Sequence, residues 1–239
     1  LSTSSVSQGA ATMIRAEFCL LSLLLVFLSL VAVQSSPTEE RLVDEILVRR
    51  RYHRMVRPAK NYNDAVEVKY GYSLQKILNV DFDTDSATLD IWENYEWTDY
   101  RFKWNETDFG GVSSIRLPPH LIWTPDIKPY GGRFIERDQT DVVIYSLGLV
   151  SWVPTGIITI PCDTTKEKIK CTLKAGSWTF DGTKLNLTNR ADEVDTSSYA
   201  IRKKFDLLEA PCKRTVKKYE CCPEPYIDIA CTFTFTMLE

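Results

Sequence analysis

Along most of the chain after Pro58, apolar side chains recur at every second position, and this alternation constrains the fold more than any other feature. Successive side chains of a β-strand point to opposite faces, so the alternation indicates strands with one apolar face. The clearest run is Val66, Val68, Tyr70, Tyr72 and Leu74. Turn-forming clusters separate the runs, at Pro118-Pro119, Tyr130-Gly131-Gly132, Pro154-Thr155-Gly156 and Asp181-Gly182. Many short strands separated by turns predict an all-β antiparallel sandwich or barrel.

The segment before these strands predicts one short amphipathic helix, from Pro37 to about Arg50. Its apolar residues recur at helical spacing, at Leu42, Val43, Ile46 and Leu47. Acidic residues lie near its start and arginines near its end, which matches the sign of the helix dipole at both ends.

Residues 1–36 are predicted to be a leader and signal peptide, and residues 37–239 a single β-sandwich domain. Arg15 precedes an almost unbroken apolar run from Phe18 to Val33, and small residues suited to signal-peptidase cleavage follow it. The alternative is a membrane anchor, but the run is shorter than the roughly 20 apolar residues that a spanning helix needs. We therefore expect a secreted, extracellular protein whose mature chain has no membrane segment.

Six cysteines follow the leader, and an even number in a secreted chain predicts a disulfide framework. Six cysteines allow fifteen connectivities. A hairpin folded about Cys221-Cys222 would place Cys212 opposite Cys231, close enough for a disulfide. A free buried pair is the alternative. We expect Cys221 and Cys222 to bond to each other, although two separate long-range bridges would also use them.

Two sequons predict glycosylation on surface loops, at Asn105-Glu106-Thr107 and Asn186-Leu187-Thr188.

Several aromatic residues occupy the polar face of a predicted strand, where a role in the core does not explain them. In residues 89–97, Trp92 alternates with the apolar side chains and shares its face with Asp90, Asn94 and Glu96. Tyr226 similarly lies on the polar face of the last strand, and the Cys221-Cys222 hairpin would bring Tyr219 to the same face. An isolated surface aromatic is common, but this grouping predicts a binding surface.

These residues resemble those of nicotinic acetylcholine receptors and acetylcholine-binding proteins. Tyr219-x-Cys221-Cys222-x-x-x-Tyr226 resembles the C loop of that family, and Trp123-Thr124-Pro125-Asp126 followed by Tyr130 resembles its A loop. Cys171 followed by Gly176-Ser177-Trp178 resembles the end of the Cys-loop and the B loop, and Ile91-Trp92 through Trp97-Thr98-Asp99 resembles the D loop. The resemblance extends from about Glu40 to the end of the chain.

The resemblance implies an immunoglobulin-like antiparallel β-sandwich of about ten strands with an N-terminal helix, assembled as a homo-pentamer. It also implies a Cys162–Cys171 disulfide and ligand sites between subunits. A principal face would carry Tyr130, Trp178, Tyr219, Cys221, Cys222 and Tyr226, and the neighbour's complementary face would carry Trp92, Asn94, Val143, Ser151 and Val153. Trp123 and Asp126 are expected to hold the A and B loops rather than to contact the ligand.

One departure from the family concerns the Cys-loop. Cys162 and Cys171 enclose eight residues here, Asp163 to Lys170, and these are mostly hydrophilic. The segment lacks the aromatic-proline tip by which receptors of the family contact their membrane domain. It therefore favours a soluble protein.

We thus predict a soluble secreted protein that captures a small molecule, an acetylcholine-like or other amine, in an aromatic cage. The first alternative is the extracellular ligand-binding domain of a pentameric ligand-gated ion channel, and the second is an adhesion sandwich without a ligand. The net charge of −3 gives no reason to expect nucleic acid. We expect no enzyme, cofactor or metal site, since the chain has only His53 and His120 and contains no G-x-S-x-G or H-E-x-x-H motif.

Overall fold

A computed structural model describes residues 37–165, 167–199 and 204–238. The predicted leader and signal peptide, residues 1–36, lies outside the described residues.

The predicted N-terminal helix is confirmed. An α-helix, α1, spans Pro37–Asp44, and one π-helical segment continues it over Glu45–Arg49. Leu42 and Ile46 are fully buried, because residues four positions apart lie on the same face of a helix. These two side chains pack the helix against the hydrophobic core of the sandwich.

The predicted immunoglobulin-like antiparallel sandwich is also confirmed, and thirteen strand segments are described. The resemblance implied about ten strands, and the larger number of segments includes three of only four residues each. The strands are β1 Val66–Asp81, β2 Ser86–Lys103, β3 Ser114–Leu117, β4 Ile127–Tyr130, β5 Arg133–Asp138, β6 Val142–Tyr145, β7 Leu147–Trp152, β8 Thr155–Asp163, β9 Ile169–Ser177, β10 Leu185–Asn189, β11 Phe205–Glu209, β12 Cys212–Tyr219 and β13 Cys222–Met237.

The strands form two sheets that meet at the Cys162–Cys171 disulfide. The first sheet contains β1, β2, β3, β5, β6, β7, β8 and β10, and the second contains β4, β9, β11, β12 and β13. Strand β8 leaves the first sheet at its end and pairs with β9, with Cys162 opposite Cys171. All pairings are antiparallel except that of β1 with β10.

The core lies between the sheets and contains the alternate residues that the sequence predicted. On β2, Leu89, Ile91, Tyr95 and Trp97 are at most 2% exposed. On β13, Ile229, Cys231, Phe233 and Phe235 are fully buried.

The core face of β2 also carries a carboxylate that the hydrophobic pattern did not single out. Glu93 is 2% exposed. Its Oε1 accepts hydrogen bonds from the hydroxyls of Tyr70 and Tyr95, each at 2.8 Å, and its Oε2 accepts one from Nε of Arg137 at 2.7 Å. The guanidinium of Arg137 lies 5.4 Å from the ring centroid of Trp152. Both oxygens of the buried carboxylate thus accept hydrogen bonds and one is paired with Arg137, which offsets the cost of burying it.

Candidate ligand-binding site

The A and B loops are held together by the carboxylate of Asp126, which precedes β4. Strand β4 pairs with the end of β9, where Ile127 lies opposite Ser177. Asp126 Oδ1 accepts a hydrogen bond from the Ser177 hydroxyl at 2.6 Å, and Oδ2 accepts from the backbone N–H of Thr179 at 2.7 Å and from its hydroxyl at 2.6 Å. These bonds lie on both sides of Trp178 in the sequence and fix the backbone that carries it.

Trp123 occupies the core rather than the surface. It is 5% exposed, and its ring meets that of Trp97 edge-on at 5.9 Å between centroids. Its backbone N–H donates to the Tyr52 hydroxyl at 3.0 Å. Trp123 therefore anchors the start of the A loop in the core, and Asp126, three residues later, holds the loop to the B loop.

Tyr130 and Trp178 form the first aromatic pair of the site. Their ring centroids lie 6.3 Å apart, and the Tyr130 hydroxyl donates to the backbone carbonyl of Ser177 at 3.1 Å. Gly176 makes this approach possible, since a Cβ there would lie 2.6 Å from the Tyr130 hydroxyl. Trp178 is 69% exposed and Tyr130 is half-buried, so the indole ring is accessible to a ligand beside the phenol.

Tyr219 and Tyr226 form the second pair, at the tip of the β12–β13 hairpin. Their rings meet edge-on at 5.6 Å between centroids, and they are 44% and 37% exposed. The hairpin has the predicted register, with Cys212 opposite Cys231 and Val216 opposite Ile227, until a shift places Tyr219 opposite Cys222. The two tyrosines project to the polar face as the alternation predicted.

The three predicted disulfides are present: Cys162–Cys171, Cys212–Cys231 and Cys221–Cys222. The second joins β12 to β13, and the third forms the hairpin tip.

The two aromatic pairs lie on adjacent strands of the second sheet. β13 pairs with β9, and Asp228, two residues after Tyr226, lies opposite Gly176, two residues before Trp178. Burial, followed by the negative charge of Asp228 and by Tyr219, raises the pKa of Tyr130. Its phenol therefore stays neutral at physiological pH and can present a ring face to a cation.

An ion pair that the sequence analysis missed lies beside these rings. Lys174 Nζ is 3.0 Å from Asp228 Oδ2, and Lys174 lies opposite Tyr130 in the β4–β9 pairing. The other oxygen of Asp228, Oδ1, is buried and accepts no hydrogen bond within the described part of the chain. The only signal in the sequence was an acidic residue on the same face as Tyr226.

The residues predicted for the complementary face lie on the first sheet. Trp92 is 40% exposed. Val143 lies opposite Ser151 across β6 and β7, and Val153 follows β7 directly. The side chains of Val143, Ser151 and Val153 are half-buried. Asn94 differs from Trp92, since it is 7% exposed and its amide donates to Ser73 Oγ at 3.0 Å. One chain thus carries the two predicted half-sites on separate sheets.

The two sequons lie in different environments. Asn105 is exposed and begins a 3-10 turn, with its side chain accepting from the Thr107 backbone N–H. Asn186 lies within strand β10 rather than on a loop, is half-buried, and accepts a hydrogen bond from Arg214 at 3.0 Å.

The short Cys-loop presents a polar surface. Of its described residues, Asp163, Thr165, Glu167, Lys168 and Lys170 are exposed, whereas Ile169 is 3% exposed and belongs to the core. The Thr164 hydroxyl donates to Asp85 in the β1–β2 turn. No described residue of this loop exposes an apolar side chain.

The described residues contain no group of three or more His, Cys, Asp or Glu side chains placed to hold a metal ion. Among the helices of residues 37–165, 167–199 and 204–238, none is long and apolar enough to cross a membrane.

Comparison with known proteins gives a consistent result. The neurotransmitter-gated ion-channel ligand binding domain matches residues 39–237. The chain is 35% identical to the human neuronal acetylcholine receptor subunit alpha-2 over 84% of its length, and 35% identical to the Caenorhabditis elegans acetylcholine receptor subunit alpha-type acr-16 over 83%. It is 33% identical to the Drosophila melanogaster acetylcholine receptor subunit alpha-like 2 over 88%.

The chain spans about two fifths of the length of these relatives, 39%, 42% and 39% respectively. The match nevertheless covers most of the helix, every described strand and all of the aromatic positions described above. This is a family of ligand-binding domains and not of enzymes. The chain belongs to the neurotransmitter-gated ion-channel ligand-binding domain family.

Proposed function

We propose that this chain binds a small organic cation, of the acetylcholine class, in an aromatic cage that is completed by a neighbouring copy. The observation that carries the proposal is the pairing of Tyr130 with Trp178 and of Tyr219 with Tyr226 on adjacent strands, with all four rings accessible. An ammonium over one aromatic face gains about 0.5–2 kcal/mol, and more than one ring can contribute.

The exposed aromatic faces, rather than a net charge, support a cationic ligand, because the carboxylate of Asp228 near Tyr130 is paired with Lys174. The Cys221–Cys222 tip would cover the ligand from above. The relatives named above are acetylcholine receptor subunits, which agrees with this ligand class.

The complementary half of the cage would come from a second copy. Trp92 lies on the first sheet with Val143, Ser151 and Val153, away from the principal aromatic pairs on the second sheet. In a closed ring with head-to-tail contacts, each interface joins one patch of a subunit to a different patch of the next. Such a ring would bring the Trp92 surface of one copy to the aromatic pairs of its neighbour. We propose a homo-pentamer on the family resemblance.

Within this function, the relatives favour the extracellular ligand-binding domain of a receptor channel. Each relative named above is a receptor subunit, and the chain corresponds to about two fifths of it. This is the first candidate. A transcript that encodes four further apolar runs of about 20 residues after Glu239 would establish it.

The polar Cys-loop favours a second candidate, a soluble secreted binding protein with the same cage. Its described exposed residues are all polar or charged, and a surface of this kind offers no apolar contact to helices embedded in lipid. A full-length transcript that ends without such apolar runs would support this candidate and exclude the first.

Isothermal titration with acetylcholine and tetramethylammonium tests the cage in either case. We expect Trp178→Ala to weaken binding by about 2-fold to 30-fold, which corresponds to the 0.5–2 kcal/mol of one cation–π contact. Phe82→Ala is the matched control, because Phe82 is 51% exposed but lies at the β1–β2 turn. Equal affinities for both variants and the unmodified protein would refute the cage.

A further inference from the structure

The segment that follows the N-terminal helix concentrates positive charge on an otherwise acidic chain. Residues 49–60, Arg-Arg-Arg-Tyr-His-Arg-Met-Val-Arg-Pro-Ala-Lys, contain six Arg or Lys and no Asp or Glu. The whole chain has a net charge of −3, so the remaining residues carry a net −9. We call residues 49–60 the basic segment.

Within the described residues, most of this charge has no acidic partner. The ion pairs of the basic segment go to a single carboxylate, Glu45, which lies 3.1 Å from Arg50 and 3.9 Å from Arg49. Arg54 donates to the backbone carbonyl of His120. Such a bond orients a guanidinium without neutralising it.

Arg57 is oriented in the same way, by the backbone carbonyls of Tyr62, Asp64 and Lys184. Arg51 is exposed and makes no side-chain hydrogen bond or ion pair within the described part of the chain. The basic segment is therefore a source of positive potential that its surroundings do not cancel.

The backbone of the segment is held rigidly by Arg101. Its guanidinium donates to the carbonyls of His53 and Val56 at 3.1 and 3.0 Å, while Asp99, fully buried, accepts from the same guanidinium at 2.6 and 2.8 Å. The charge of Arg101 is thus paired with Asp99. Four of the five arginines of the basic segment are exposed, on a loop whose backbone Arg101 holds in place.

A cavity of about 440 Å³ opens in the middle of this surface. Its lining includes the arginines Arg50, Arg51 and Arg101 and the tyrosines Tyr52 and Tyr100. Arginine side chains here can donate two parallel hydrogen bonds to a sulfate or carboxylate, and the tyrosines offer hydrogen bonds and flat surfaces to a sugar ring.

We propose that the basic segment binds an extended polyanion outside the cell, a sulfated or carboxylated polysaccharide. Short stretches rich in Lys and Arg bind such chains through their summed potential. The disulfides indicate an extracellular location, where nucleic acid is not the expected partner. Residues 51–60 form turns rather than an amphipathic helix, which disfavours insertion into a lipid surface.

The basic segment lies at the Lys103 end of β2, where Arg50 donates to the Lys103 carbonyl. The opposite end of β2 begins at Ser86, next to Asp85 and the Cys-loop. A straight strand of 18 residues would span at most about 55 Å at roughly 3.3 Å per residue, and β2 is irregular between Thr98 and Lys103. Arg57 reaches toward the B loop, since its guanidinium lies 5.6 Å from the ring centroid of Phe180, so the variants below leave Arg57 in place.

The test is the affinity of the intact chain for heparin, measured by calorimetry at increasing salt, with neutral dextran and phosphatidylserine vesicles alongside. We expect heparin to bind, salt to weaken binding, and dextran not to bind. Arg49→Gln/Arg51→Gln/Arg54→Gln should weaken heparin binding by about tenfold or more, since local potential raises ligand concentration by such factors. Lys168→Gln/Lys170→Gln, which removes two exposed cations at the far end of the sandwich, should have little effect.

Glu45→Gln separates this role from a structural one. Within the described residues, Glu45 is the carboxylate that pairs with the segment, so removing its charge should strengthen heparin binding, whereas a variant that merely disturbs the fold would weaken it. Circular dichroism and thermal unfolding of each variant check the fold without relying on the binding of any ligand. The proposal is overturned if heparin does not bind, if both lysine and arginine variants lose affinity equally, or if vesicles bind and heparin does not.

Discussion

Glu93 shows how one residue can place a charge in the core of a sandwich without unfolding it. Its carboxylate accepts from Tyr70, Tyr95 and Arg137, so both oxygens have partners. The backbone N–H of Glu93 donates to the Pro154 carbonyl, at the turn that follows Val153. The buried network therefore also fixes the strand position next to Trp92.

Removing one member of this pair should be costly. We expect Glu93→Ala to lower the free energy of unfolding by about 3–5 kcal/mol, because Arg137 is left charged and partly buried. The double variant Glu93→Ala/Arg137→Ala should lose less than the sum of the two single changes. Chemical denaturation of the four proteins measures this coupling, and additive losses would contradict it.

Glu96 provides the matched control for Glu93. It lies three residues further along β2 and pairs with Lys69 at 2.8 Å, but the Lys69 side chain is 50% exposed. A surface pair contributes little to stability because water and salt screen it. Glu96→Ala should therefore leave the free energy of unfolding nearly unchanged.

The sequence predicts residues well where one face of a strand is uniformly apolar, and poorly where partners come from distant strands. Trp92 and Tyr226 were recognisable because each interrupts a polar face. Glu93 interrupts an apolar face and was not recognised, since its partners Tyr70 and Arg137 are 23 and 44 residues away. The burial of Asn94 was missed for the same reason.

At the scale of elements, the β12–β13 hairpin carries two disulfides that should serve different purposes. Cys212–Cys231 closes a loop with a sequence separation of 19, whereas Cys221–Cys222 joins adjacent residues. A disulfide stabilises mainly by restricting the unfolded chain, and the restriction grows with loop length. The first should stabilise the fold, and the second should shape the ligand site.

Replacing each pair by serine separates these purposes. Cys212→Ser/Cys231→Ser should lower the free energy of unfolding by about 2–4 kcal/mol. Cys221→Ser/Cys222→Ser should change it little but weaken acetylcholine binding. Thermal unfolding and calorimetry of both variants provide the measurements, and the reverse order of effects would show that this assignment of roles is wrong.

The tyrosines of β1 and β2 make the sandwich sensitive to alkali. Burial, followed by the negative charge of Glu93, raises the pKa of Tyr70, Tyr72 and Tyr95 above the usual 10.0. Below that pH the phenols are neutral in both folded and unfolded chains, so stability does not depend on them. Above it, the unfolded chain releases protons that the folded chain retains, and stability falls.

This loss should amount to about 1.4 kcal/mol per pH unit for each tyrosine above pH 10. The free energy of unfolding measured between pH 8 and 11 should therefore be flat at first and then fall steeply. Ultraviolet titration should show these phenols ionising only as the protein unfolds. Their ionisation near pH 10 in the folded protein would contradict the pKa shifts.

For the whole molecule, local patterns predicted the architecture but could not supply the partner. The helix, the antiparallel all-β architecture and the hairpin register follow from periodicity and turn residues within short windows, whereas the choice of a sandwich over a barrel came from the family resemblance. Whether Trp92 of one copy meets Trp178 of another depends on contacts between chains, which no alternation within one chain encodes. The proposed cage therefore rests on family resemblance at its interface and on geometry within each half.

Restoration of binding in a mixture of two variants tests the shared cage most directly. Assemblies of Trp178→Ala chains lack the principal indole, and assemblies of Trp92→Ala chains lack the complementary one, so each alone should bind acetylcholine weakly. When the two chains are co-expressed, some interfaces join an intact principal face to an intact complementary face. The account predicts a fraction of sites with the affinity of the unmodified protein. Mixed assemblies that bind no better than the parent variants, or Trp92→Ala assemblies that bind normally, would contradict it.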